Sequence, residues 1–460
     1  MDKRDLTRRA LIKWSLATGA ALGVSQSRIA DILGRTHGRG LAEAAAATPT
    51  KRTVHLRAGQ GALAWFTLLW PHNDIAAGAA GNSNTTWPFA ATATRKIQGT
   101  GGDLTVGPNT PFASFAADKQ VTAFMAGSNE THQRNPNSII RSVSGNSMFA
   151  LLALLQQDSP SVIPVITVDD VDLGTAPGAP RAAVVPTGAD IVGLFNSAAS
   201  RAGSLLDKSK AGHADLYRAH YETLAQLNRA ANRPTMRDAY TTARGAARFL
   251  GTNLASQLSI TPADELAYGI DNTMRPEIRE IARTLIVTAK AFQMRLTSSV
   301  ILPALRDDPH GAFQNMATGP NSLQATTMAL KKVLDAFMAD LATRRDDITQ
   351  TPLSEDIVIT IDGDTPKTPL DRTNWLDDTP ANSNWIYVLG GGKLKTGWFG
   401  GISRAGQVQG FDPANGRSTP TYDGDLQAQA AVGAIAYAVA RGDKTRVKDL
   451  VRSDYSGLVV

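Results

Sequence analysis

The chain has 460 residues, of which 42% are hydrophobic and 19% are charged, and it contains 40 glycines, 23 prolines and no cysteine. A chain of this length and apolar content can bury a large core, which excludes a wholly disordered protein. The missing cysteines exclude a disulfide framework, thiolate-bound zinc, iron–sulfur ligation and a cysteine nucleophile.

The positive net charge of +6 comes mainly from residues 1–47, which carry eight basic and four acidic side chains. The remaining residues carry 39 basic and 37 acidic side chains, a net charge of +2. A nucleic-acid-binding protein usually presents a basic face or stripe. The sequence therefore predicts no nucleic-acid partner.

The N-terminus has the pattern of an export signal. Residues 7–13 read TRRALIK and precede an uncharged run of 14 residues, Trp14–Ser27, which resembles a bacterial twin-arginine (Tat) signal. The run is shorter than a membrane-spanning helix requires, and the four alanines at 44–47 suit a signal peptidase. We expect residues 1–47 to be a Tat signal peptide, the Tat translocase to be a partner during export, and the mature chain to be periplasmic or secreted.

Two alternatives to a cleaved signal remain open at this point. Residues 7–27 also suit an ordinary amphipathic helix with a chance arginine pair. An uncleaved N-terminus would instead tether the protein to a lipid surface.

The remaining chain alternates between strand and helix patterns. In chain order, these patterns predict short strands within 51–125 (one at 54–56, ending in a tight turn at 58–61), a buried helix at 147–157, a strand at 162–168, helices at 215–229 and 276–294, a strand at 299–305, a helix at 323–345, strands at 356–361 and 385–389, and a helix at 426–441.

This alternation predicts an α/β fold, with a central, mostly parallel sheet and helices on both of its faces. We expect residues 48–460 to form a single domain with a helical insertion at about 190–297, and no transmembrane span in the mature chain. In such sheets the ligand site lies at the carboxyl ends of the strands. The chain has no P-loop and no Gly-x-Ser-x-Gly elbow, which disfavours P-loop NTPases and α/β-hydrolases.

Acidic residues and one histidine lie near the ends of several predicted strands. Carboxylates with a histidine suit a divalent Zn, Mn, Mg or Ca ion. Each piece also has a plainer interpretation, because Asp-Gly-Asp after a strand is typical of a turn and a histidine after Asp-Pro is typical of a loop. The set comprises Asp308, His310, Asp362, Asp364, Asp377 and Asp378.

A second candidate group precedes the helix predicted at 147–157. His132 lies in a polar segment, and Ser144 lies close to the helix start, where backbone N–H groups can hold an anion. The alternative is that Ser144 and Ser147 are helix caps. His55 and Arg57 are expected to flank the turn after the first strand, and the sequence assigns them no function.

Several motifs together resemble those of a known family. The family's Asp-Thr-His resembles residues 308–310, its Glu-Phe-Gly-Arg-Thr-Pro resembles residues 364–369, and its Asp-His before Gly-Gly-Gly resembles residues 378–379 before 390–392. Its Arg-Gly-Gly-x-Asp is similar to residues 57–61, and a polar-loop histidine falls at His132. These motifs, spread over roughly residues 52–440, resemble a family of Tat-exported bacterial proteins of unknown function within the alkaline phosphatase/sulfatase-like superfamily.

The resemblance implies an alkaline phosphatase-like fold and metal-dependent hydrolysis of a small phosphate or sulfate ester. It implies that one divalent metal is held by Asp308, His310, Asp364 and Asp378 and that His132 contacts the substrate or its anion. The serine near the helix start, Ser144, is the candidate nucleophile for this chemistry. The chain has Gly61 and Thr379 where the family has an acidic residue and a histidine. A non-catalytic periplasmic or surface protein, which uses the fold to bind a surface partner or to assemble, is therefore the alternative.

Overall fold

The structure is a computed structural model. It describes residues 49–59, 95–97, 104–106, 121–128, 146–159, 161–195, 223, 249, 253–306, 323–364, 380–402 and 407–460. Its contacts divide the chain into two compact units. The larger unit comprises residues 50–156, 164–191 and 259–460, and the smaller comprises residues 1–49, 157–163 and 192–258.

Eight of the described strands form one sheet in the order β10-β4-β9-β8-β1-β7-β5-β6. Strand β1 is parallel to both β7 and β8, whereas β9 is antiparallel to both β4 and β8. The described strands are β1 (Arg52–Gly59), β2 (Arg95–Ile97), β3 (Leu104–Val106), β4 (Thr122–Ser128), β5 (Ile163–Val168), β6 (Ala183–Val185), β7 (Thr297–Arg306), β8 (Ile357–Asp364), β9 (Ser383–Leu389), β10 (Gly397–Phe399), β11 (Gly401–Ile402), β12 (Val408–Phe411) and β13 (Ser418–Thr419).

The described α-helices are α1 (Met148–Leu155), α2 (Ile191–Leu194), α3 (Leu254–Leu258), α4 (Pro262–Ala267), α5 (Pro276–Gln293), α6 (Leu323–Thr343), α7 (Gly424–Val439) and α8 (Lys444–Val447). Helix α5 begins as its sequence predicts. Pro276 occupies the first helical turn, where its missing N–H costs no hydrogen bond, and Glu277 follows it near the positive end of the helix dipole.

The expected fold class is confirmed at the level of an α/β fold with a large, mostly parallel central sheet and helices. Seven of the predicted elements lie where the apolar patterns place them. They are the strands at 163–168, 297–306 and 383–389 and the helices at 148–155, 276–293, 323–343 and 424–439. The helix predicted at 215–229 lies outside the described residues apart from Thr223, which is helical. The predicted signal at 1–47 also lies outside them.

Both faces of the sheet are covered. Buried residues of α1 and α7 form one apolar cluster with Phe124, Ile301 and Val358 of the sheet. Helix α5 packs against β7 and α6, and its buried Leu285 and Phe292 lie outside that cluster, so we place α5 and α6 on the opposite face. Coverage on both faces explains the nearly continuous apolar runs in strands such as β8 and β9.

Strand β1 is polar at every second position and is nevertheless buried. Thr53, His55 and Arg57 alternate with Val54 and Leu56, and all five side chains are buried. An alternating strand usually exposes its polar face to water, but here neighbouring elements cover it. The prediction that the histidine and the arginine flank a turn is therefore wrong, because both lie within the strand.

A buried network of charged side chains lies at the amino ends of strands β1, β7 and β8. Arg52, at the start of β1, pairs with both Asp346 and Asp356. Arg295 donates to Asp346 at 2.7 Å, and Arg441 pairs with Asp356. Burial alone would raise the pKa of Asp346, but the hydrogen bond from Arg295 and the charge of Arg52 hold that pKa well below its usual range. The network joins β1 to three connections that are distant in the chain.

Candidate functional site

Four strands end along one edge of the sheet. Strand β1 is parallel to β7 and β8, and β4 runs in the same direction as β8 because both are antiparallel to β9. The strands end at Gly59, Ser128, Arg306 and Asp364, and these four ends define what we call the carboxyl edge. In open α/β sheets ligands bind at the carboxyl ends of the strands, so this edge is the candidate functional site.

A buried ion pair lies just inside the carboxyl edge. Arg57 of β1 and Asp362 of β8 are directly opposite each other in the parallel register. Their side chains form a salt bridge, and neither has any exposed area. Burying two charges is costly, and the pair recovers that cost only through close mutual contact. Asp362 is therefore part of a strand-to-strand ion pair and not of a turn.

The glycine that follows this aspartate is packed on two sides. A Cβ atom placed on Gly363 would lie 3.1 Å from Cζ2 of Trp385 and 3.2 Å from Cβ of Ala58. These distances are tighter than ordinary van der Waals contacts, so the position favours glycine. The end of β8 is thus held by a salt bridge at one residue and by close packing at the next.

Two of the strands become irregular as they approach this edge. Arg57 pairs with Pro303 of β7, but Gly59 pairs with Arg306, so β7 has one extra residue between these pairs. The β4–β9 register also shifts after Met125, and Gly127 within that shift has a φ of 99°. β-Bulges are frequent next to active sites, where they redirect side chains.

A histidine lies further inside β1. His55 Nδ1 is 2.6 Å from Oγ1 of Thr360, and its ring centroid is 4.7 Å from that of Phe149. Its Nε2 has no hydrogen-bond partner among the described residues. Burial lowers the pKa of His55 to about 3, so the ring is neutral at physiological pH. His55 belongs to the core and does not contribute charge to the site.

Helix α7 begins beside the end of β4. Tyr422 donates a hydrogen bond to the carbonyl oxygen of Gly127, and burial raises the pKa of this tyrosine. The side chain of Asp423 caps the helix by accepting from the backbone N–H of Leu426 at 3.0 Å. A Cβ on Gly424 would lie 2.9 Å from the Gly127 carbonyl. The first turn of α7 is thus fixed against the carboxyl edge.

A cavity of about 320 Å³ lies beside the end of β7, and residues 303–305 form part of its wall. Three acidic residues, Asp169, Glu277 and Glu280, are among those that line it. Glu280 Oε1 accepts a hydrogen bond from the backbone N–H of Gly188 at 2.8 Å. Like charges repel, so this cavity suits a neutral or cationic group better than an anion.

The residues predicted from the sequence fall mostly outside the described part of the chain. Asp364 is the last residue of β8 and pairs with Asn384 of β9. Among the described residues, no group of three or more His, Asp or Glu side chains could hold a metal ion. Lying outside the described residues are His132, Ser144, Asp308, His310, Asp377 and Asp378.

The helix-cap alternative is confirmed for one of the two serines. Ser147 caps α1: its Oγ accepts from the backbone N–H of Ala150 at 3.3 Å and donates to the carbonyl of Leu173 at 2.7 Å.

Sequence reasoning missed Arg57 as a residue of this edge. The available signal was an arginine at an inward position of an alternating strand, since a charge there requires a buried counter-ion. Asp362 was among the acidic candidates, but nothing in the sequence paired it with Arg57.

Comparisons with protein-family models, with curated proteins and with solved structures find no match for this chain. Within the described residues, no helix is both long enough and apolar enough to cross a membrane.

Proposed function

We propose that the chain is an exported, metal-dependent hydrolase of phosphate or sulfate esters, on an alkaline phosphatase-like fold, with its site at the carboxyl edge. The main support for this proposal is that β8 and β7 flank β1 and that β8 ends in the candidate ligand Asp364. Candidates Asp308 and His310 follow the last residue of β7 by two and four positions.

Simple distances support a shared site. Neighbouring strands lie about 4.8 Å apart, so β8 and β7 are separated by roughly 10 Å. Two residues of chain span at most about 7 Å, which limits how far Asp308 can be from the end of β7. Asp378 belongs to the connection between β8 and β9.

The proposed donors fit a hard or borderline divalent cation, because they comprise three carboxylates and one imidazole. Asp308, His310, Asp364 and Asp378 would hold the ion. A bound cation supplies Lewis-acid polarisation of the phosphoryl or sulfuryl oxygen. In this scheme His132 contacts the substrate anion and Ser144 is the candidate nucleophile.

A second candidate function is non-catalytic binding or assembly on the same fold. One observation favours this second function. The carboxylate of Asp362, near the carboxyl edge, is paired with Arg57 and is therefore not free to bind a metal. Gly61 and Thr379, which replace an acidic residue and a histidine of the resembling family, point in the same direction.

Hydrolysis of aryl phosphates and aryl sulfates by the mature protein separates the two functions. The hydrolase proposal expects turnover that chelation abolishes and added Mn²⁺ or Zn²⁺ restores, and that Asp364→Asn lowers by at least about 100-fold. The matched control is Asp335→Asn, which removes a carboxylate from a half-buried pair with Lys331 on α6. Absence of turnover with every metal would leave the non-catalytic function.

A further inference from the structure

Helix α6 has an outer face with few charges. From residue 325 to the end of the helix, five residues are exposed, and one of them carries a charge. They are Met328, Lys332, Ala339, Ala342 and Thr343. The opposite stripe of the helix, which includes Leu334 and Phe337, is buried, and α6 packs against α5. Because the solvent side of a helix is typically charged or polar, the exposed methionine and alanines indicate a surface that a partner covers.

Four side chains lie in one line along this outer face. They are spaced by four, three and four residues, which is the spacing at which paired helices contact each other. In chain order they are Met328, Lys332, Asp335 and Ala339. When a second α6 lies antiparallel on this face, with a two-fold axis level with the midpoint of the line, Lys332 of each copy lies opposite Asp335 of the other. Met328 of each copy then lies opposite Ala339, so a long side chain meets a short one.

This line of residues is therefore complementary to itself. We propose that the chain forms a homodimer through the outer face of α6, with the two α6 helices packed antiparallel about a two-fold axis. Such an interface is isologous, because both copies contribute the same residues to it. A parallel pair is disfavoured, since it would place Lys332 opposite Lys332 and Asp335 opposite Asp335, and like charges repel. The inference does not depend on the function proposed above.

The two charges of the line can both reach a second copy. Lys332 Nζ has one long hydrogen bond, 3.4 Å to the carbonyl oxygen of Gly269, and no ion pair with another described side chain. Asp271 attracts this lysine, but its carboxylate already accepts three hydrogen bonds within its own turn. Asp335 is half-buried and pairs with Lys331 through Oδ2. A carboxylate can accept from more than one donor, so Asp335 can also accept from a lysine of the second copy.

A groove of about 900 Å³ lies beside the same face, between α6 and residues 267–278. Three alanines of α6, Ala325, Ala329 and Ala336, line it, and their small side chains allow a second helix to approach closely. Fifteen described residues line the groove, fewer than the roughly 20–30 residues that each partner contributes to a stable interface. We therefore expect a weak dimer whose population rises with protein concentration.

Sedimentation velocity of the protein at increasing concentration tests the proposal, once circular dichroism has shown that each variant is folded. Lys332→Glu places like charges opposite each other at both contacts of the pair, and so does Asp335→Lys. A mixture of these two variants places opposite charges at both contacts, so it restores the pairing as a heterodimer. The matched control is Lys448→Glu, which reverses an exposed charge at the end of α8.

We expect wild type and Lys448→Glu to dimerise with Kd values within about threefold of each other. The Kd should rise at least about tenfold in Lys332→Glu and in Asp335→Lys, and the one-to-one mixture should associate at least about tenfold more tightly than either variant alone. A wild-type protein that stays monomeric at every concentration would overturn the proposal. A dimer that both single substitutions leave unchanged, or a mixture that associates no better than its components, would also overturn it.

Discussion

His55 makes the stability of this protein depend on pH in a defined range. The side chain is fully buried in β1, and burial lowers its pKa from 6.5 to about 3. The folded protein therefore favours the neutral imidazole, whereas the unfolded chain takes up a proton once the pH falls below 6.5. The contribution of His55 to stability is complete above pH 6.5 and is lost as the pH falls from 6.5 towards 3.

The size of the effect follows from the two pKa values. Each pKa unit corresponds to 1.36 kcal/mol, so His55 alone costs about 2 kcal/mol of unfolding free energy at pH 5 and about 5 kcal/mol below pH 3. His55→Asn removes the titration while keeping a polar atom near Nδ1, which contacts Thr360. We expect this variant to be less stable at pH 7 but to lose about 2 kcal/mol less than wild type between pH 7 and pH 5.

Urea unfolding of the protein at several pH values measures this difference. All other titrating groups are shared, so the difference between the two curves isolates His55. Thr360→Val is the matched control, because it removes the contact of Nδ1 and keeps the imidazole; it should be destabilised at every pH with the wild-type slope. Parallel curves for wild type and His55→Asn would refute the reasoning.

Three further predictions concern other parts of the molecule. Asp346→Asn weakens the network around Arg52 and Arg295 and should lower the unfolding free energy by about 3–5 kcal/mol. Asp347 is exposed, so Asp347→Asn should change the unfolding free energy by less than about 0.5 kcal/mol. Equal effects of the two substitutions in chemical denaturation would contradict the role of the network. Gly424→Ala should destabilise the protein, because the added Cβ meets the Gly127 carbonyl, even though alanine favours a helix over glycine by about 1 kcal/mol. Gly193→Ala is the control and should not destabilise the protein, because its Cβ would have no neighbour within 4 Å. A Gly424→Ala protein that is more stable than wild type would contradict this packing. Replacing Arg8 and Arg9 by lysine should retain the protein in the cytoplasm if the N-terminus is a Tat signal; cell fractionation would show unchanged export if it is not.

Local patterns in the sequence predict much of the fold. Helix α5 follows from its apolar period and from Pro276 at its start, and α1 follows from an apolar run after the capping Ser147. Strand β8 was predicted too short, because Asp362 and Gly363 suit a turn when they are considered alone. The register with β1 and the salt bridge to Arg57 instead keep this segment extended.

Contacts between distant residues explain why the candidate site was less predictable. His55 and Thr360 are 305 positions apart, yet they face each other across neighbouring strands. No local pattern carries information about such a register, since it depends on how the whole sheet assembles. The sequence did indicate that acidic residues follow the strands, and Asp364 does end β8 at the carboxyl edge.

The central claim is that a divalent cation binds at the carboxyl edge with Asp364 as one of its ligands. The metal content of the purified protein, measured by elemental analysis after loading with Mn²⁺ or Zn²⁺ and removal of the excess, tests it most directly. We predict about one ion per wild-type chain and a much reduced content in Asp364→Asn, because the loss of one of four ligands weakens a site sharply. A wild-type protein without bound metal, or an Asp364→Asn protein with undiminished content, would contradict the account.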